Sequence, residues 1–290
     1  MSNSVVEFTN SKAIEASSAL VNIIQVASPM EEEVSKAMGV DVFLKLSSVS
    51  DANDIKDLGL AMKSSTEVSG GIKEEIDANE GIYTWNNAKQ DWDKTSATGQ
   101  LVMKFPLEGP EGTKNNVEYK IYDISIKEGN FTDLGDSVTE LPAGVKASVK
   151  VDGSEIMTYS LTAAYQSTGI PSSISSKLSV DDFDFDINLG YSSSKLEFGY
   201  AFTKADKNII SWGSKATGNM TKAQMEAVEE GMEDEDITAL GEMVEEASTW
   251  IQVVEVKMTT SLKVKNLTEA VQPYVGKDDV EQLIIDKIND

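Results

Sequence analysis

From residue 80 onward the apolar residues of this chain recur at every second position. That period commits the middle of the protein to strands. Tyr83 and Trp85 lead into Asn86-Asn87, and Trp92 returns, a hairpin pattern. Leu101, Met103 and Phe105 alternate up to Pro106, and Gly109-Pro110-Glu111-Gly112 reads as a loop. Val117, Tyr119 and Ile121 are followed by Ile124 and Ile126 on the opposite parity, which predicts a bulge or a strand buried on both faces. Val145, Ala147, Val149 and Val151 run into Asp152-Gly153, a strong two-residue turn signal, and Met157, Tyr159, Leu161, Ala163 and Tyr165 form the return strand. After a Ser-rich link around Gly169-Ile170-Pro171 come Leu178 and Val180. Phe183, Phe185, Ile187 and Leu189 follow, then a turn within 190–194, then Leu196, Phe198, Tyr200 and Phe202. Ile210 and Trp212 close the block.

The flanks carry a different period. Ala13, Ala16, Leu20, Ile23 and Ala27 recur at helical spacing behind Asn10 or Ser11 as a cap. Pro29 opens a second helix ending at Gly39. Asp51 or Asn53 caps a third through Ile55, Leu58, Leu60 and Met62, and Ser69-Gly70-Gly71 ends the region. Thr221 and Gln224 stand in capping-box spacing before Met225, Val228 and Met232. Asp234 or Asp236 recaps a helix through Leu240, Met243 and Val244. Trp250, Val254, Val256, Met258, Leu262 and Val264 read as strand, and a last helix runs from near Lys277 to Ile288.

Strands and helices are therefore segregated, which argues α+β. The expected architecture is one domain over 1–290 built on a large curved antiparallel sheet, an open or half barrel. Its parts are a helical N-terminal part (1–79), a strand-rich part (80–220), a helical insert (221–247), and a strand with a terminal helix (248–290).

Composition narrows the chemistry. The chain contains no His, Cys or Arg, and its 25 Lys stand against 49 Asp and Glu, a net charge of -24. Ser-His-Asp and Cys-His sites and the usual zinc sites are thereby excluded. No Gly-rich phosphate loop occurs, so no cofactor is expected. The charge repels nucleic acid and anionic membranes. No apolar run approaches the ~20 residues of a membrane helix, so no transmembrane helix is expected. Zero Cys excludes a disulfide scaffold without fixing the compartment.

Four features invite a functional reading, each beside a plainer one. Asp182, Asp184 and Asp186 alternate on one strand face opposite Phe183, Phe185 and Ile187. They offer oxygen ligands for Ca²⁺, but the sequence is not an EF-hand loop, and a solvated sheet face is the ordinary reading. The run Glu229, Glu230, Glu233, Asp234, Glu235 and Asp236 is either a cation site or a solvated, capped helix end. Trp85, Trp92, Trp212 and Trp250 with Tyr83 and Tyr165 could stack on a sugar, or pack in hairpins and core. Met30, Met38, Met62, Met225, Met232 and Met243 could line an adaptable lipid pocket, or fill ordinary core. No catalytic, cofactor-binding or metal-ligating residue is assigned.

Several stretches taken together resemble a known group. These are Gly81-Ile82-Tyr83-Thr84-Trp85, Asp91-Trp92-Asp93-Lys94, Leu101-Val102-Met103-Lys104-Phe105-Pro106, Leu141-Pro142-Ala143 through Asp152-Gly153, and Leu161-Thr162-Ala163-Ala164-Tyr165. Over about residues 80–215 the texture resembles uncharacterised exported lipoproteins of Bacteroides-type bacteria. The resemblance implies export to the bacterial cell envelope, periplasm or outer surface, and lipid anchoring through a leader Cys not present in this sequence. The expected shape is also similar to the lipoprotein-carrier half barrels of the bacterial periplasm, a likeness of fold alone. The functional expectation is a non-enzymatic exported lipoprotein that binds an apolar ligand, a lipid, between a curved sheet and helices. A surface adhesin that binds glycan or protein is one alternative, and a glycoside hydrolase using carboxylates alone is another.

Overall fold

A computed structural model describes residues 72–131, 139–233 and 236–275. The helices expected within 10–62 and at 277–288 lie outside the described residues, and Met30, Met38 and Met62 with them. The described chain forms a 12-stranded, mostly antiparallel open sheet, with strand order β12-β11-β10-β9-β8-β7-β6-β5-β4-β3-β1-β2. Its contacts group it into two compact units, 1–171 with 175–184, and 172–174 with 185–290. That division falls inside the strand-rich part.

In the first unit, helix α1 (Ile72–Asn79) precedes β1 (Gly81–Asn86), β2 (Asp91–Thr95), β3 (Gln100–Phe105), β4 (Val117–Glu128), β5 (Glu140–Val151), β6 (Ser154–Tyr165) and most of β7 (Pro171–Val180). α1 falls within the part expected to be helical (1–79), beyond Ser69-Gly70-Gly71, where the apolar pattern places no separate helix. Alternate residues of β1, β3, β4 and β5 build the core: Tyr83, Trp85, Leu101, Met103, Phe105, Val117, Tyr119, Ile121, Ala147, Val149 and Val151 are buried. The parity change in β4 is a bulge, with the β4–β5 register shifting between Tyr122 and Ser125 and Asp123 at φ 52. Asp152-Gly153 forms the turn between β5 and β6 with φ 49 and 82, the two positive values that a type I′ turn requires. Trp85 and Trp92 pair across the first hairpin, their rings edge to face with centroids 5.5 Å apart.

The second unit holds most of β8 (Phe183–Ser192), then β9 (Lys195–Lys204), β10 (Lys207–Gly218), α2 (Lys222–Glu233), α3 (Thr238–Met243), β11 (Val244–Val253), β12 (Val256–Lys263) and α4 (Val264–Val271). A 3₁₀ turn, Gln272–Tyr274, follows. Two expectations are corrected here. The residues read as one strand from Trp250 to Val264 are a hairpin turning at Val254-Glu255, and Val264 starts a helix. Val264, Thr268 and Val271, spaced four and three apart, are the buried positions of α4. Helix residues meet the sheet in a small core of Met220, Val244 and Val264 with Tyr191, Ala216, Leu240, Met243 and Ala247.

Candidate functional site: an exposed apolar sheet face

Strand register places the site. Directly paired residues of antiparallel strands project from the same face of the sheet. Across β9, β10, β11 and β12 the pairing sets Tyr200, Trp212, Ile251 and Met258 in one row. The neighbouring rows on that face are Phe202, Ile210, Val253 and Val256; Phe198, Ser214, Thr249 and Thr260; and Leu196, Ala216, Ala247 and Leu262. Only Ser214, Thr249, Thr260 and the Tyr200 hydroxyl interrupt the apolar character. The opposite face carries Glu197, Lys215, Ser248 and Ser261 in one row and Lys195, Thr217, Glu246 and Lys263 in another.

A two-faced antiparallel sheet normally packs its apolar face and wets its polar one. Here the apolar face reaches solvent: Val256 is 68% exposed, Met258 63%, Leu262 48% and Trp212 41%. A continuous exposed patch of this kind marks an interaction site.

Its relief comes from side-chain size. Large residues, Leu196 and Phe198, stand on β9 and Leu262 stands on β12. Between them β10 and β11 present only Ser214, Ala216, Ala247 and Thr249. The result is an open trough of about 340 Å³ floored by those small residues and by Thr260. No carboxylate lines it; its polar lining is Ser and Thr residues and Lys215.

Aromatic rings extend the surface beyond the trough. Trp212 meets Phe198 with centroids 5.0 Å apart and Tyr200 with centroids 6.5 Å apart. Phe185 stacks on Phe202 at 4.5 Å and 18° between planes. Partial burial among these neighbours raises the Tyr200 phenol above its ordinary pKa, so it is neutral at physiological pH.

The residues singled out from sequence are dispersed. Trp85, Trp92 and Tyr83 belong to the first unit's core, and the Tyr165 hydroxyl donates to the Pro142 carbonyl at 2.6 Å. Trp212 and Trp250 stand on opposite faces of β10 and β11, so they share no stacking surface. Asp181 and Asp182 form the turn between β7 and β8 and are not strand residues. Asp184 accepts from Lys177 Nζ at 2.9 Å and from the Ser179 hydroxyl at 2.5 Å. Burial opposes its ionisation, yet these hydrogen bonds overcome that and hold its carboxyl below the ordinary value. Asp236 accepts from the Thr238 N–H at 2.9 Å at the start of α3, and Asp234 and Glu235 lie outside the described residues. Among the described residues no cluster of three or more acidic groups is placed to hold a metal ion. Met243 packs in the small core and Met225 is exposed, so neither lines the trough.

No protein-family model, curated protein or solved structure matches this chain. Among the described residues no helix is long and apolar enough to cross a membrane.

Proposed function

We propose that this protein is a non-enzymatic, exported and lipid-anchored component of the bacterial cell envelope that holds a neutral apolar ligand, a lipid acyl chain, in the trough of its second unit. One observation carries the reading: a largely apolar sheet face, broken only by hydroxyl groups, is left in solvent and is hollowed by small residues. The volume is at the small end of ligand sites, on the scale of a single chain rather than a whole diacyl lipid. The net charge of -24 selects against anionic headgroups.

Mass spectrometry of lipids that remain with the purified full chain tests the binding. Recovery of a neutral acylated species, lost when Ala247→Phe fills the floor, supports it. A lipid-free protein that also refuses added monoacylglycerol refutes it. Export and anchoring stand on the family resemblance, and labelling of the protein with palmitate in its native cells tests them separately.

A second reading has its own observation. The ring contacts of Phe198, Tyr200 and Trp212 make an aromatic surface of the sort that stacks on sugars. Binding to a glycan array that Trp212→Ala abolishes, with no lipid retained, would favour it.

A further inference from the structure

A row of hydroxyls crosses the floor of the trough. Ser214, Thr249 and Thr260 stand directly opposite one another on β10, β11 and β12, and all of them line the cavity. The row beside them on the same face is Ala216, Ala247 and Leu262, about 7 Å away along the strands. The trough therefore has an apolar half and a hydroxyl half. Trp212 and Ile251 stand in the row beyond the hydroxyls.

The protons of that row are already committed in one direction. Thr249 Oγ1 donates to the Gly213 carbonyl at 2.9 Å, which uses its only proton. Its oxygen accepts in turn, and Ser214 Oγ donates to it at 3.4 Å. Bonds in such a chain polarise one another, so the direction of each supports the next. Ser214 begins the chain with its proton spent and its lone pairs available. Cross-strand Ser–Thr bonds ordinarily brace a ladder, but at 3.4 Å this one is a weak brace. Its consequence for the cavity is larger: the group that Ser214 presents there is an acceptor. Thr260, on the exposed β12, is the one member of the row whose proton these two bonds leave uncommitted.

We propose that the ligand of the trough is a neutral lipid with a hydroxyl head, and that this head donates to Ser214 Oγ. The inference rests on the acyl-chain reading above and adds the head group to it. An alcohol or a glycerol hydroxyl brings the proton that Ser214 lacks. Ether and ester oxygens bring none. A carboxylate is an acceptor only, and it also meets the net charge of -24. The apolar tail lies over Ala216 and Ala247, in the half of the trough without hydroxyls.

Isothermal titration of the full chain with decanol, decyl methyl ether and decanoate reads this preference. Decanol should bind at least about threefold tighter than the ether, the worth of one neutral hydrogen bond, and decanoate should bind weakest. Ser214→Ala should bring decanol down to the level of the ether. Thr249→Val should narrow the gap from the other side: it releases the Ser214 proton to donate, so the ether gains. Ala247→Phe should weaken every one of these ligands. Equal binding of decanol and ether by the unaltered chain, with both weakened in Ala247→Phe, overturns the hydroxyl head and leaves the acyl-chain reading standing. So does a preference for decanol that Ser214→Ala leaves untouched. Binding of none of these ligands removes the acyl-chain reading and this inference with it.

Discussion

Trp250 packs its indole directly over the α-carbon of Gly213, its paired neighbour across β10 and β11. A Cβ built on Gly213 would overlap the ring, and Lys257 Nζ lies 5.2 Å from the ring centroid. A glycine in mid-strand exposes backbone, and the aromatic ring covers it. Gly213→Val should therefore displace the indole and cost about 1–3 kcal/mol, the usual cost of overpacking. Thermal unfolding checks this: a lowered midpoint is expected, and an unchanged one would show that the ring does not rest there.

Val254 adopts φ 55 in the β11–β12 turn. A β-branched residue pays strain of about 1–3 kcal/mol in that region. Val254→Gly should relieve it and raise the midpoint of urea unfolding, less an entropic loss of up to about 1 kcal/mol. A lower midpoint for the glycine variant would argue against the turn as described.

Burial pushes the Tyr165 phenol up to about 12 and raises Tyr119 still further, the latter with a smaller contribution from Tyr159. Once unfolded, both phenols ionise near the ordinary value of about 10. The folded state then holds more protons above that pH, so stability is level below pH 10 and falls as pH rises from 10 toward 12. Unfolding midpoints at about pH 8, 10 and 11 should follow this course. Tyr165→Phe loses its hydrogen bond, at about 1 kcal/mol, and should show a flatter decline. Equal slopes in both proteins would remove Tyr165 from the account.

Much of the first unit was legible because its turns obey local rules. Asp152-Gly153 supplies two positive φ values, and the parity change after Ile121 marks the bulge at Asp123. The alternation that selected Tyr83, Trp85, Leu101, Met103 and Phe105 also selected the core. The second unit was less legible. Val254-Glu255 contains no Gly, Asn or Asp, so the hairpin it closes reads as one continuous strand. Val264 reads as strand by its side chain, yet helix packing against Val244 and Met220 decides its conformation. The trough depends on Ala216 facing Ala247 and Leu196 standing opposite, a register that the unrecognised turn helps to set. Alternation shows that a face is apolar. It does not show that the face is left in solvent.

Binding of a fluorescent neutral monoacylglycerol, followed by anisotropy, tests the central claim most directly. Burial of apolar area on this scale, less the cost of association, predicts saturable binding on the order of 1–100 μM. Ala247→Phe and Ala216→Trp should weaken it at least about tenfold by filling the trough floor. Lys104→Ala, in the first unit, should leave it unchanged. Absence of saturable binding, or equal binding by the filled variants, would contradict the account.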